Sequence, residues 1–234
     1  MKISLITTIL IWSLCVACQK ETETIPKVTD QTVQNIETFA RLYGYARWFH
    51  PSDEAQEIDW SKFAVLGIQK VENVNSAEEL QDALFRLFSP IVQGLQIYKT
   101  NQYEIFNQDF LLSPDPNAKP VTWQHYGVYL NENSNLYRSL RINKNMSAGK
   151  LFDRILQFGE IINEPIGNNL TCVVPLVLLT NDEATYPKTE ISSLNRLKSE
   201  INSINYGNVF NLHVNLASVV IAWNVLQHFF RIST

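Results

Sequence analysis

Apolar positions along the chain change their spacing twice, from a helical period to a strand period and back. Over residues 33–49, Val33, Ile36, Phe39 and Ala40, then Leu42, Tyr43 and Ala46, follow the spacing of a helix that buries one face. Pro51 stops it, since proline lacks an amide donor and restricts the residue before it. Asp59 is placed to cap a second helix running from Trp60 to about Glu72, with Phe63, Leu66, Ile68 and Val71 as its apolar positions. Ser76-Ala77-Glu78-Glu79 reads as a capping box for a third helix, which carries Leu80, Ala83, Leu84, Leu87 and Phe88 and ends at Pro90.

After Gly94 the period shortens. Leu95-Gln96-Ile97-Tyr98 alternates, residues 121–130 are rich in β-branched and aromatic types, and residues 136–142 and parts of 154–162 alternate again. Residues 170–179 form an apolar run suited to a buried strand. Turn signals separate these segments at Ser113-Pro114-Asp115-Pro116-Asn117, at residues 131–135 and at Gly167-Asn168-Asn169. Helical spacing returns at Ile191, Leu194, Leu197, Ile201 and Ile204, and a last helix runs from near Asn211 through Leu216, Val219, Val220 and Trp223 to about Phe230. The expected fold class is α+β. A helical unit covers 33–94, a central β-rich sandwich or partly open barrel covers 95–182, and a helical segment covers 183–234.

The first and last helices share a faint repeat. Tyr43 to Pro51 aligns with Trp223 to Arg231, and upstream Ile36, Phe39 and Ala40 align with Leu216, Val219 and Val220. The second copy finishes in Gln227-His228-Phe229-Phe230-Arg231 with nothing beyond to bury its aromatic end. Contiguous exposed apolar surface is unusual in a finished monomer, so the expectation is a chain cut short before a further domain.

The N-terminus carries another pattern. Lys2 precedes residues 3–12, an apolar run interrupted only by Ser4, Thr7 and Thr8, and Cys15-Val16-Ala17-Cys18 follows. A basic start, a short apolar run and small residues make an export signal, and the run falls short of the roughly 20 apolar residues of a membrane span. Cys15-Val16-Ala17-Cys18 resembles a lipobox, with Cys15 where leucine is usual, which implies cleavage before Cys18 and lipidation of that thiol. Residues 1–17 are then a lipoprotein signal peptide and 18–32 a flexible polar tether to a membrane. Gln19-Lys20-Glu21-Thr22-Glu23 resembles the charged stretch after the acylated cysteine of surface-exported Bacteroidetes-type lipoproteins. That points to the outer membrane, on its periplasmic or its external face. Cys172 remains as the lone cysteine of the mature chain, which rules out an intrachain disulfide, and its apolar surroundings suit a small buried residue.

Composition narrows the class without naming a chemistry. The chain is 45% hydrophobic and 11% aromatic, enough for a real core in one large or two small domains. A net charge of −4 with no Lys/Arg cluster argues against a nucleic-acid-binding surface.

One resemblance is carried by specific residues. The stretch Phe39-Ala40-Arg41-Leu42-Tyr43-Gly44-Tyr45-Ala46-Arg47-Trp48-Phe49-His50-Pro51-Ser52-Asp53-Glu54, followed by Asp59-Trp60, resembles the start of the S41 family of serine peptidases, the C-terminal-processing or tricorn-like group. Trp123-Gln124-His125-Tyr126-Gly127, Tyr137-Arg138-Ser139-Leu140-Arg141, Val174-Pro175-Leu176-Val177-Leu178 and Ala222-Trp223-Asn224-Val225-Leu226-Gln227-His228-Phe229 resemble the same proteins, so the likeness covers about residues 35–230. In that family these segments precede the catalytic domain, and no position here matches its serine nucleophile or lysine base. The resemblance implies a pre-catalytic region that packs against or gates a protease domain, itself without peptidase activity.

The residues agree. Serine catalysis needs a hydroxyl beside a base on a rigid element. The local candidate, Ser147-Ala148-Gly149-Lys150, has a turn-like setting, and the nearest approach to a Lys-Thr-Gly partner is Lys188-Thr189-Glu190. His50, His125, His213 and His228 are far apart with no His-x-x-x-His pair, so neither a metal nor another cofactor is expected. His50 suits a structural role, bonded to a carboxylate such as Asp53 or Asp59. Trp48, Trp60, Trp123 and Trp223 suit core packing, with a peptide groove as the other use. Paired carboxylates such as Glu160 and Glu164, or Asp53 and Glu54, read as surface charges, and so do the arginines Arg138 and Arg141, with bidentate anchoring of a carboxylate as the other use of one of them. His50, Asp59, Trp60, Trp223 and His228 are the candidate structural or interface positions, and Cys18 the lipidation site. The competing reading is a free-standing lipid-anchored module that uses its β-rich unit to hold peptide or glycan.

Overall fold

The computed structural model describes residues 29–102, 105–126, 138–143, 150–151, 153–181, 183–207 and 211–229. Cys18, the expected signal peptide, most of the expected tether and Ser147 lie outside them.

Side-chain caps start the N-terminal helices where local chemistry offers them. Thr29 caps α1 (Asp30–Phe49), accepting from the Thr32 amide at 3.1 Å, and Ser52 caps the short α2 (Asp53–Gln56). One carboxylate oxygen of Asp59 accepts from the Ser61 and Lys62 amides, both at 3.1 Å, and begins α3 (Trp60–Val71). Ser76 accepts from the Glu79 amide at 3.2 Å and begins α4 (Ala77–Phe88). The Glu79 carboxylate reaches back to the Asn75 amide at 3.2 Å, so the capping box closes one residue upstream of the cap itself.

Two antiparallel sheets follow. β1 (Gln96–Lys99), β5 (Leu170–Pro175) and β4 (Ile161–Gly167) form one, in the order β1-β5-β4. β3 (Arg138–Ile142), β2 (Lys119–Tyr126), β6 (Val177–Thr180) and β7 (Thr185–Tyr186) form the other, in the order β3-β2-β6-β7. The apolar run 170–179 is therefore two strands. The chain leaves the first sheet after Pro175, the Leu176 amide bonds the Glu160 carbonyl at 3.0 Å, and β6 joins the second sheet. Hydropathy shows no break here because all six residues of β5 and most of β6 are buried. Residues 154–160 form no strand. Gly159 takes φ +94°, and the Gln157 amide turns back onto the Glu160 carboxylate at 2.7 Å.

β4 and β5 are joined through Asn168 and Asn169 with φ of +49° and +58°, the backbone of a two-residue type I′ hairpin. The Asn168 amide then donates to the Thr38 hydroxyl at 2.9 Å, which seats the hairpin on α1.

Two helices close the order, α5 (Ile191–Ser203) and α6 (Leu212–Phe229), completing a mixed α+β fold. The main core joins the helices to the first sheet. Phe39, Tyr43, Phe63 and Phe88 form an interlocked set of rings at centroid distances of 5.0–6.4 Å. Ile97, Ile166, Leu170, Cys172 and Val174 of the first sheet belong to the same cluster. Leu111, Val121 and Leu178 form a smaller core under the second sheet. Cys172 is fully buried, which pushes its thiol up to about 12 and makes it inert. No described helix is long and apolar enough to cross a membrane.

Candidate functional site

The Phe49-His50-Pro51 segment is the hinge between helices and sheets, and its polar groups are spoken for. His50 is buried, with Nδ1 3.0 Å from the Pro175 carbonyl and Nε2 accepting from the Gln93 amide at 3.1 Å. Neither Asp53 nor Asp59 reaches it, because Asp53 pairs with Arg141 at 2.8 Å and Asp59 is engaged in capping. Burial, opposed in part by the Gln93 and Pro175 bonds, pulls the ring down to about 4, so it is neutral at physiological pH. A neutral ring that donates from Nδ1 presents a lone pair at Nε2. That lone pair takes the Gln93 backbone N–H, and the Gln93 side-chain oxygen lies 3.1 Å from the same atom.

Around His50 the two sheets are tied to α1 and α2. Arg141 of β3 is almost wholly buried and donates to the Pro51 carbonyl as well as to Asp53. Asp53 accepts from the Thr185 amide at 2.9 Å, and its own amide donates to the Thr185 hydroxyl at 3.0 Å. The Trp123 indole donates to the His50 carbonyl at 3.2 Å, and His125 Nε2 donates to the Trp48 carbonyl. His125 is held at about 4, chiefly by burial, and its Nδ1 accepts from the Ser139 hydroxyl at 3.0 Å. Arg141, expected as a surface charge, is instead a buried strut. Losing one member of such a pair strands the other charge in a dry site.

Asp59 and Trp60 serve the same rigidity. Beyond the cap of α3, the Trp60 indole donates to the Ala55 carbonyl at 2.9 Å and its ring meets Tyr43 edge-on at 5.3 Å. Tyr43 is pushed up to about 12 by burial, against the pull of Arg47.

α6 leaves apolar side chains in solvent. Its 18 residues contain no Asp, Glu, Lys or Arg. The inner side holds Ala217, Val220, Asn224 and Phe229, while Val219, Val225 and Leu226 remain 64%, 37% and 57% exposed. α6 runs parallel to α1: Asn224 donates to the Ala40 carbonyl at 2.9 Å, and His228 meets the Phe49 ring at 5.1 Å. Gly44 makes the approach possible, since a Cβ there would stand 1.8 Å from Asn224 Oδ1 and 2.6 Å from His228 Nε2. Those two atoms are buried and have no hydrogen-bond partner among the described residues, and burial lowers the His228 ring.

An open groove of about 440 Å³ separates the N-terminal halves of the two helices. Val33, Ile36, Leu212, Leu216, Val219 and Trp223 line it, and the Arg41 guanidinium lies 5.9 Å from the centre of the Trp223 ring. Trp223 thus combines packing against the core with one wall of an accessible groove. His228 and Trp223 are brought to the α1–α6 seam, His50 to the buried hinge, and Asp59 and Trp60 to the start of α3.

Sequence reasoning missed Gln93 and Asn224, and singled out Arg141 without its burial. Asn224 did leave a signal, an amide between Trp223 and Val225 in a helix without Asp, Glu, Lys or Arg. No group of three or more His, Cys, Asp and Glu among the described residues could hold a metal ion. Lys150 pairs with Asp153 at 3.8 Å. No known family, no curated protein and no solved structure matches this chain.

Proposed function

We propose that this chain is the non-catalytic N-terminal portion of a membrane-anchored, S41-like serine peptidase, tethered through Cys18, and that α6 packs against or gates the protease domain. One observation carries the reading. An 18-residue helix without a single charged Asp, Glu, Lys or Arg keeps Val219, Val225 and Leu226 in solvent. Its outer face mixes these apolar side chains with Asn215, Ser218 and Gln227 and carries no charge, the make-up of one half of an interface whose other half is the protease domain. The hinge supports the same role, because the buried His50, Arg141 and Asp53 bonds hold α1 rigid behind α6. The lipidated tether keeps the assembly at the cell envelope.

The test is binding. A purified S41-like protease domain, carrying the catalytic serine and lysine, should bind this chain. Replacing Val219 and Leu226 by Glu should weaken that binding at least about tenfold, since each charge must be desolvated at an apolar contact. Peptide hydrolysis by this chain alone, sensitive to serine-directed inhibitors, overturns the proposal. So does failure of such a domain to bind, which favours the free-standing module, with Trp223 and its groove as the place for peptide or glycan.

A further inference from the structure

A second hollow, of about 530 Å³, lies between α3, α4 and α5, away from the surface assigned to docking. Its charge is unlike that of the rest of the chain. Lys70, Arg86 and Arg196 stand round it, one from each helix, and Glu200 is the single carboxylate of its lining. Lys70 and Glu200 satisfy each other at 2.6 Å. Arg86 has only a long contact to Asp82, 3.8 Å between two strongly exposed side chains, which binds neither firmly. Arg196 makes no ion pair among the described residues. The acid that shares its field, Glu190, is already engaged by the hydroxyls of Ser192 and Ser193. Two guanidiniums with no firm partner therefore face one hollow in a chain of net charge −4.

Apart from Ser89 and Ser193, the rest of the lining is apolar. Leu87 and Leu197 are buried at its base, beside Ala83 and Pro90, and the Phe85 ring stands 47% exposed at the rim. Cations that line one hollow repel one another, and an anion between them removes that repulsion. A guanidinium offers a planar fork of donors matched to a carboxylate or a phosphate. The volume lies in the range of small-molecule sites, which pair apolar walls with a few orienting charges.

We infer that this hollow binds a small amphipathic anion, its carboxylate or phosphate head held between Arg86 and Arg196 and its apolar body on Leu87, Leu197 and Phe85. The inference is independent of α6 docking and survives its failure. The full-length chain is titrated by calorimetry with 3-phenylpropionate, phenyl phosphate and inorganic phosphate. At least one aromatic anion should bind saturably with a Kd below about 1 mM, and the tighter of the two names the head group. Inorganic phosphate, lacking the apolar body, should bind at least about tenfold more weakly. Arg86→Gln and Arg196→Gln should each weaken binding about tenfold, as expected for one charge-assisted contact, with the melting temperature unchanged because both side chains are exposed. Lys119→Gln, an exposed charge on β2, is the control and should leave binding unaltered. Absence of saturable binding overturns the inference. So does equal loss in Lys119→Gln, or inorganic phosphate binding as tightly as the aromatic anions.

Discussion

α1 and α6 are alike in pattern and opposite in what surrounds them. Phe39 and Val219 occupy aligned positions, yet Phe39 is fully buried among Tyr43, Phe63 and Phe88 while Val219 is 64% exposed. Charge placement follows the same division. α1 carries Glu37 and Arg41, 2.7 Å apart on its outer side, whereas α6 has no such pair to offer to water. α1 is a helix whose surroundings are complete. α6 is packed on the side that faces α1 and α3, and its other side leaves Val219, Val225 and Leu226 in solvent among Asn215, Ser218 and Gln227, with no charge between them.

That contrast can be broken most forcefully at Phe39. Phe39→Ala should lose about 3–5 kcal/mol in urea denaturation, the range for an emptied aromatic site in a packed core. A loss under about 1 kcal/mol would mean that α1 is not the centre of the core. The ends of the two helices extend the comparison to pH. His50 has a folded pKa of about 4 against 6.5 in the open chain, so the unfolded state takes up the proton first as pH falls. Stability should be full above about pH 6.5, decline from there to about pH 4, and level off below, with a contribution of about 3 kcal/mol from His50. His125 acts in the same sense, so His50→Gln should flatten part of this limb and leave part standing. A flat profile between pH 7 and pH 4 in the parent chain would refute the buried hinge.

Gly44→Ala probes the seam itself. The new methyl would collide with Asn224 and His228, and overpacking of this kind costs about 1–3 kcal/mol. An unchanged midpoint would show that α6 does not rest on α1. The smallest effect belongs to the outer face. Val219→Ser and Leu226→Ser should change stability by no more than about 0.5 kcal/mol, since each leaves the chain's own packing untouched. A larger loss in the isolated chain would mean that the face is already covered.

Much of this division is visible in the residues before any coordinates. Asp59 and Ser76 announce α3 and α4 because a capping side chain and the amides it serves are neighbours in sequence. Gly167-Asn168-Asn169 announces its hairpin because few residues tolerate φ above zero. Long-range partners leave no such trace. His50 finds Gln93 and the Pro175 carbonyl, and Asp53 finds Arg141, through approaches of strands distant in sequence. Residues 170–179 mislead for a related reason, since a run buried throughout looks the same whether it serves one sheet or two. The second hollow was invisible because Lys70, Arg86 and Arg196 each sit singly on an ordinary amphipathic helix.

The parallel seating of α6 on α1 also has a mechanical side. Tension applied at Asp30 and at Phe229 pulls on opposite ends of two helices that point the same way, so the seam is loaded in shear along its length. The Asn224 bond to Ala40, the notch at Gly44 and the ring contact of His228 with Phe49 then share the load, and no single contact is peeled first. Resistance to extraction is set by the rate at which the whole seam gives way. A protein held to a membrane at one end and to a working domain at the other would be strained along that axis.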